Sequence, residues 1–375
     1  MTIAEGAMSY YQGGPDKFVD LPAPHYWWQA GALFGAMLDY SHYTNDHTYD
    51  ETIATALLAQ VGPKFDYMLP SHFGQEGNDD QAFWGFAVTS AAERNFPQPD
   101  ESIPSWLEMS QNIFEALAGR WNTSACGGGL LWQIFPDNPN GLNYKNTVSN
   151  GGFFQIAARL ARITGEKKYA DWAEKVWDWT ENIGMINEQG HVFDGAHADK
   201  DCKDTNPVSF SYSAGIYAYG AAVMADHTGD KKWVERTSRV VEGSRWFFEN
   251  IPGYPNATNI MYEHACEHVD KCNTDMRSFK GYMSRFFYAS AVLVPEVRDT
   301  VDEFLQTSAK AAANACTGGT DGTTCGQKWY VGGFDGKVGL GEEMCALETI
   351  QGLLARDSPK PLKKAQIKTV RTFST

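Results

Sequence analysis

The chain is expected to fold as an all-α protein, an (α/α)6 barrel of six helical hairpins, and three observations carry that expectation. Helical periodicity recurs along its 375 residues, and no succession of period-2 strands appears. Segments rich in Gly, Ala and aromatic residues alternate with segments carrying many charges. The alternation repeats at roughly sixty residues, the length of a two-helix unit.

In chain order, the apolar segments are 28–40, 80–92, 150–163, 211–225, 279–292 and 341–355. Between them lie amphipathic segments at 49–61, 101–117, 167–183, 231–250 and 296–313, with 3–12 as the sixth. A helix hydrophobic on all sides is buried on all sides, so the first set forms an inner ring and the second an outer one. An α-solenoid is the competing architecture; it needs a sequence-level repeat and capping helices, and neither is found. Residues 1–356 read as one catalytic domain, and 357–375, with Lys360-Pro361-Leu362-Lys363-Lys364, as a basic tail or linker.

Inner helices running the same way gather their N-termini at one mouth. The six starts are 24–29, 77–80, 145–150, 210–213, 277–280 and 339–343. Asn78, Ser211 and Asn146 suit N-caps. Capping does not call for Trp27, Trp28, Tyr212 or a second Asp.

Composition narrows the function. A formal net charge of -15 repels a phosphate backbone, so no nucleic-acid partner is expected. With no run of 18 apolar residues, no membrane span is expected. Aromatics are 13% of the chain, with 12 Trp and 17 Tyr, an excess that suits a sugar cleft because pyranose C–H faces stack on flat rings. Trp106, Trp172, Trp177 and Trp179 fall on outer helices and read as packing.

Seven cysteines occur without a C-x-x-C pair. Cys266 with Cys272 and Cys316 with Cys325 lie in polar loops suited to short disulfides, Cys126 with Cys202 is a third pair, and Cys345 is left as a buried thiol on an inner helix. Disulfides imply an oxidising compartment. Asn122-Thr123-Ser124 and Asn256-Ala257-Thr258 are glycosylation sequons consistent with secretion. No h-region opens the chain, so a signal peptide is expected to have been removed and Met1 to be an added initiator.

The sharpest motif is Gly77-Asn78-Asp79-Asp80-Gln81-Ala82-Phe83-Trp84. Both aspartates fall in a first helical turn, where the macrodipole favours carboxylates. Dipole complementation alone would explain such a pair on a surface helix; here Asp80 opens a segment that is apolar through Ala92. Cleaving a glycosidic bond needs one carboxylic acid to protonate the departing oxygen and one carboxylate to attack or to activate water. Neighbouring helical residues diverge by about 100°, so spacing in sequence does not separate a retaining site from an inverting one.

Competing motifs are weaker. His264-Ala265-Cys266-Glu267-His268 fits the H-x-x-E-H pattern of zinc peptidases but encloses an expected disulfide cysteine and lacks a third ligand. Asp79-Asp80 is similar to the aspartate-rich motif of helical terpene synthases, yet Phe83 stands where a third acid belongs. Gly332-Gly333-Phe334-Asp335-Gly336 reads as a turn. No metal and no cofactor is expected.

Around the mouth, Trp28, Gln29, His72, Trp84, Asn150, Tyr212 and Lys280 are candidates for sugar recognition. Asp194 could accept hydrogen bonds from vicinal hydroxyls, or serve an Asp-Gly turn.

The chain resembles glycoside hydrolase family 76, the α-1,6-mannanase family, and in particular its fungal cell-wall branch. The resemblance rests on Tyr26-Trp27-Trp28-Gln29-Ala30-Gly31, on residues 76–85 around the paired aspartates, on Asn150-Gly151-Gly152, and on Cys266-Glu267 through Phe279-Lys280. It implies the (α/α)6 fold and a retaining mechanism with Asp79 as nucleophile and Asp80 as general acid/base. The fungal branch further implies an extracellular, GPI-anchored transglycosidase that cuts the mannose core of a GPI glycan and transfers the protein to β-glucan. Its donor would be a mannose-containing or GPI-core glycan, and its membrane link a GPI anchor absent from this chain, whose end lacks a hydrophobic tail. Endo-α-1,6-mannanase hydrolysis and a catalytically inactive glycan-binding protein are the alternatives.

Overall fold

The computed structural model describes residues 2–138 and 140–373; Met1, Pro139, Ser374 and Thr375 lie outside that set. The helices follow in the order α1 Thr2–Met8, α2 Trp27–Thr44, α3 Asp50–Ala59, α4 Asn78–Glu93, α5 Trp106–Gly119 and α6 Thr147–Thr164. Then come α7 Lys167–Asn182, α8 Ser211–Thr228, α9 Lys231–Gly243, α10 Phe279–Leu293, α11 Arg298–Ala315 and α12 Leu340–Gln351. The even-numbered helices are the apolar segments and the odd-numbered ones the charged segments. Two short antiparallel pairs accompany them, β1 Tyr144–Asn146 with β2 Gly195–His197 and β3 Cys316–Gly318 with β4 Thr324–Cys325. The fold class is all-α, with the hairpin alternation expected of the (α/α)6 class.

The chain divides into two compact units. One comprises Gln12–Ile186, Phe193–Pro207 and Lys360–Thr375; the other comprises Met1–Tyr11, Asn187–Val192 and Val208–Pro359. In the first, α2 packs on α4 and α4 on α6, with α3, α5 and α7 as their hairpin partners. Small residues permit the close approach. A Cβ on Gly152 would lie 2.5 Å from that of Ala82, and one on Gly31 would lie 2.9 Å from the Trp84 indole. Arg159 on α6 reaches back to α4, where its guanidinium meets Glu93 at 2.7 Å and the Phe86 carbonyl at 3.1 Å. Breaking one side of such a buried pair costs about 3–5 kcal/mol.

In the second unit, α8 packs on α10 and α10 on α12, with α9 and α11 outside and the opening helix α1 against α12. Outer helices show the amphipathic face the charges imply: on α9, Trp233, Thr237, Val240 and Val241 are buried while the lysines at its start face water.

Two boundaries differ from the periodicity. Helix α5 starts at Trp106 and not near 101, because Pro104 interrupts and Ser105 caps, accepting from the Glu108 amide while Glu108 Oε2 accepts from the Ser105 amide at 2.8 Å. Helix α9 stops at Gly243, where a Cβ would strike the Gln189 and Gly190 backbone, and the rest of the segment expected to run to 250 is a 3₁₀ turn and loop. Residues 360–373 do not extend as a linker. Their backbone is bonded to the end of α4 and the loop after it, the Leu362 amide to the Glu93 carbonyl at 2.9 Å and the Gln98 amide to the Val370 carbonyl at 2.7 Å.

Candidate active site

Asp79 and Asp80 open α4 in the first unit, and both are half-exposed where the helix after them is buried from Gln81 to Ala92. The N-cap is Gly77, one residue earlier than expected, so Asn78 is free for another task. Its amide nitrogen donates to the Leu131 carbonyl at 2.7 Å, and its oxygen accepts from Arg120 Nε at 2.7 Å. Arg120, the C-cap of α5, also donates to Gln81, whose own amide reaches the Asp66 carbonyl at 2.7 Å. One guanidinium therefore grips the residues on both sides of the aspartate pair.

The two carboxylates are held differently. Asp80 Oδ2 accepts the Gly77 backbone N–H at 2.5 Å, so the third residue of the helix reaches back to the N-cap amide while glycine offers no side chain in return. Asp79 Oδ2 accepts the indole N–H of Trp132 at 2.9 Å. Gly77 makes this possible, since a Cβ there would collide with Asp79 and stand 2.9 Å from the Trp132 carbonyl and 3.0 Å from Asp80 Oδ2. Just upstream, Glu76 is buried, with Oε1 accepting the Leu69 amide at 3.0 Å, and burial pushes its carboxyl up to about 7 against the opposing pull of Arg120.

Trp132 leads to Asp194. Its backbone amide donates to the Tyr144 carbonyl at 2.7 Å, and the Tyr144 hydroxyl donates to Asp194 Oδ2 at 2.7 Å. Asn206 adds a second donor at 3.1 Å, and burial raises the Asp194 carboxyl. Asp194 is half-buried, as is His72, whose ring stacks on Trp27 with centroids 5.3 Å apart.

Other expected sugar contacts are enclosed. Trp84 is 0% exposed, packed against Trp27, Tyr67 and Phe34, so it fills the core and presents no face to a ligand. Asn150 is equally buried and spends its amide on the Leu130 backbone and the Asn146 carbonyl, fixing the strand of chain that carries Trp132. Gln29 is buried with its oxygen on the Tyr26 amide, and Trp28 is nearly so, tilted against Phe83 at 4.5 Å. Of the three expected N-caps only Asn146 serves as one, accepting from the Ser149 amide at 3.2 Å.

Tyr212 and Lys280 belong to the second unit. Tyr212 stacks face to face on Phe279 with centroids 3.8 Å apart. Lys280 is 1% exposed; its ammonium lies 2.8 Å from Glu267, donates to the Gln327 carbonyl at 2.5 Å and sits 3.9 Å over the Trp329 ring. Its charge is satisfied internally, which replaces the expected substrate contact by a structural one. Ser211 caps nothing: its amide and hydroxyl donate to Glu263, a carboxyl that burial pushes up to about 8.

Disulfides join Cys126 to Cys202, Cys266 to Cys272 and Cys316 to Cys325, while Cys345 is a buried thiol. Cys266 therefore offers no thiolate beside His264, which instead stacks on Trp246 at 5.4 Å. Asp335 of the Gly-rich segment accepts from the Gln327, Lys328 and Lys337 amides, closing a turn. Of the sequons, Asn256 is exposed, and Asn122 is half-buried with its side-chain oxygen accepting from the Ser124 amide at 2.8 Å. Trp132, Arg120 and Tyr144 went unread in the sequence; Gly77 was read as the opening of the acidic motif, but not as the N-cap whose missing side chain leaves room for both carboxylates.

Paired carboxylates at the head of a buried helix, one pinned by an indole and one by the backbone, are the equipment of a glycoside hydrolase. Comparison with known proteins supplies the family. The glycosyl hydrolase family 76 model matches residues 1–365, and the chain belongs to that family. The mannan endo-1,6-alpha-mannosidase DCW1 of Candida glabrata is 47% identical over 352 residues, 93% of this chain and 77% of the relative. The protein of the same name from Saccharomyces cerevisiae is 45% identical over 363 residues, 96% of this chain and 79% of the relative. Among solved structures, Dfg5 from Chaetomium thermophilum in complex with glucosamine matches with TM-score 0.92 and 37% identity, over 98% of this chain and 92% of that one. An α-1,6-mannanase of Salegentibacter, an inactive variant with two consecutive Asp→Asn changes in complex with α-1,6-mannotriose, matches with TM-score 0.73 over 94% of this chain and 98% of that one. At 19% identity that likeness speaks to the fold alone.

Proposed function

We propose that the protein is a retaining glycosidase of α-1,6-linked mannose, with Asp79 as nucleophile and Asp80 as general acid/base. The observation that carries this reading is the half-exposure of two successive carboxylates at the positive end of an otherwise buried helix. The names of the relatives, mannan endo-1,6-alpha-mannosidases, support the substrate class. The Asp79 carboxylate, oriented by the Trp132 N–H, attacks the anomeric carbon while Asp80 gives its proton to the departing glycosidic oxygen. Asp80, now a carboxylate, then takes a proton from the incoming hydroxyl, which displaces Asp79 from the sugar. Treatment with a fluorinated or epoxide mannoside followed by peptide mass analysis should find the label on Asp79. Asp79→Asn and Asp80→Asn should each lower kcat by at least about a thousandfold; near-normal turnover by either variant sinks the assignment.

Transfer is the finer part of the reading. The protein is taken to act outside the cell, a location supported by three disulfides, to cut the mannose core of a GPI glycan and to pass the glycosyl group to a β-glucan hydroxyl. Incubating donor with and without β-glucan oligosaccharides should yield a mixed product visible by mass spectrometry. Free mannosides alone, at a rate no acceptor changes, would reduce the activity to endo-α-1,6-mannanase hydrolysis.

A further inference from the structure

In the first unit, Arg120 also lines an open groove of about 590 Å³, together with Lys64, Phe73, Glu115, Gly119 and Phe135 among others. That volume lies within the ~300–1,000 Å³ typical of small-molecule sites. Its walls come from the elements that build the catalytic turn. Phe73 belongs to the loop that runs into Glu76 and Gly77, and Phe135 lies three residues past Trp132, the donor to Asp79. The two rings stack at 4.4 Å, half-buried, and so tie these loops together at the groove. Arg120 has one side on the groove and the other on Asn78 and Gln81, the residues that flank the pair.

We infer that this groove is an accessory subsite for a neutral oligosaccharide, a further stretch of the α-1,6-mannan chain whose cleavage occurs at Asp79 and Asp80. The lining combines what a sugar uses: aromatic surface for C–H faces, with Lys64 as donor and, at the exposed rim, Glu115, whose Oε1 accepts from Lys168 at 3.0 Å, as acceptor for hydroxyls through its other oxygen. Charges of both signs on one rim disfavour a strongly anionic ligand, and the sharing of Arg120 between the groove and the residues that flank the aspartates favours the substrate itself. The inference rests on the mannosidase reading above.

The test uses a substitution that narrows the groove from α5 and leaves the sequence of both loops unaltered. Gly119 ends α5 and lines the groove, and a Cβ there meets nothing within 4 Å, so the backbone accommodates Gly119→Trp, which adds bulk at the groove wall, with Gly119→Ala as control. In the full chain carrying Asp79→Asn and Asp80→Asn, α-1,6-mannohexaose should bind roughly tenfold more tightly than α-1,6-mannotriose by calorimetry, and Gly119→Trp should abolish that gain while leaving mannotriose affinity unchanged. Equal affinity for the two lengths, a gain that survives Gly119→Trp, or a loss shared by both sugars overturns the inference. Failure of the unaltered protein to cleave either sugar, with the length preference in binding intact, would sink the mannosidase reading and leave the groove standing.

Discussion

The indole of Trp132 reaches Asp79 from a loop, and in the mechanism proposed above its N–H orients the nucleophile. Trp132→Phe keeps a ring and removes the donor. A hydrogen bond to a charged group contributes about 1.5–3 kcal/mol, so kcat/KM on an α-1,6-mannoside should fall by roughly 10–100-fold with little change in melting temperature. Unchanged kinetics would remove Trp132 from the mechanism. Glu76 makes a different prediction. Its folded carboxyl titrates near 7 against an ordinary value of 4.5, because burial disfavours the charged form. Between those values the native state holds a proton the unfolded chain has lost, so stability declines as pH rises through this window and levels off above it. Glu343, pushed up by burial to about 7, and Glu263, to about 8, act with the same sign. Glu76→Gln should flatten part of that decline and raise unfolding free energy at pH 8 by on the order of 2 kcal/mol, measured by denaturant titration at pH 5 and pH 8. A wild-type slope in the variant would contradict it. Asp79 and Asp80 were legible because two charges at the head of an apolar run are a local anomaly. Trp132 was not, since the chain from 120 to 143 has no periodicity and its partner lies 53 residues away.

At the scale of elements, helices were readable from the contrast between segments apolar on all sides and segments apolar on one face. Their ends were readable only where a breaker stands in the sequence, as Gly165 does after α6, with φ 73° and its N–H on the Ala161 carbonyl. The start of α4 was misplaced by one residue because Asn is the better cap by propensity, whereas Arg120 and the Leu131 carbonyl claim the Asn78 side chain. Disulfides rank by the chain they close. Cys126 and Cys202 are 76 residues apart and Cys266 and Cys272 only 6, so loop entropy gives about 4 kcal/mol for the first and about 2 kcal/mol for the second. Replacing Cys126 and Cys202 by Ser should lower the melting temperature more than replacing Cys266 and Cys272. The reverse order in calorimetry would show that native-state contacts outweigh loop length.

For the molecule as a whole, the regular alternation of segments reads as one domain, and within the chain contacts gather into two compact units of three helix pairs each. Which pairs share a unit is invisible in sequence because the pairs alternate apolar and charged segments in the same way. The last residues illustrate the same point. Their basic, Pro-containing sequence suggests a solvated tail, but Asn95 binds the Gln366 carbonyl at 2.9 Å and the Lys368 amide at 2.6 Å, and Arg371 donates to the Asp100 carbonyl at 2.8 Å. These bonds lie within the first unit. Deleting the chain from Lys360 onward should therefore lower the melting temperature by about 5–10 °C, from net contributions of about 1 kcal/mol per hydrogen bond. An unchanged melt would show the segment to be dispensable to the fold.

What the sequence determined by itself was whatever depends on neighbours along the chain: the helical class, the alternation of buried and amphipathic helices, the acidic pair at a helix start and the two short-loop disulfides. Tertiary structure decided which side chains surround that pair. It enclosed Trp84, Asn150 and Lys280, brought Trp132 and Arg120 to the turn that carries Asp79 and Asp80, and raised the Glu76 carboxyl. The physical reason is that periodicity encodes which face of a helix is buried, while the partners met at its end depend on irregular loops whose course is set by contacts distant in sequence.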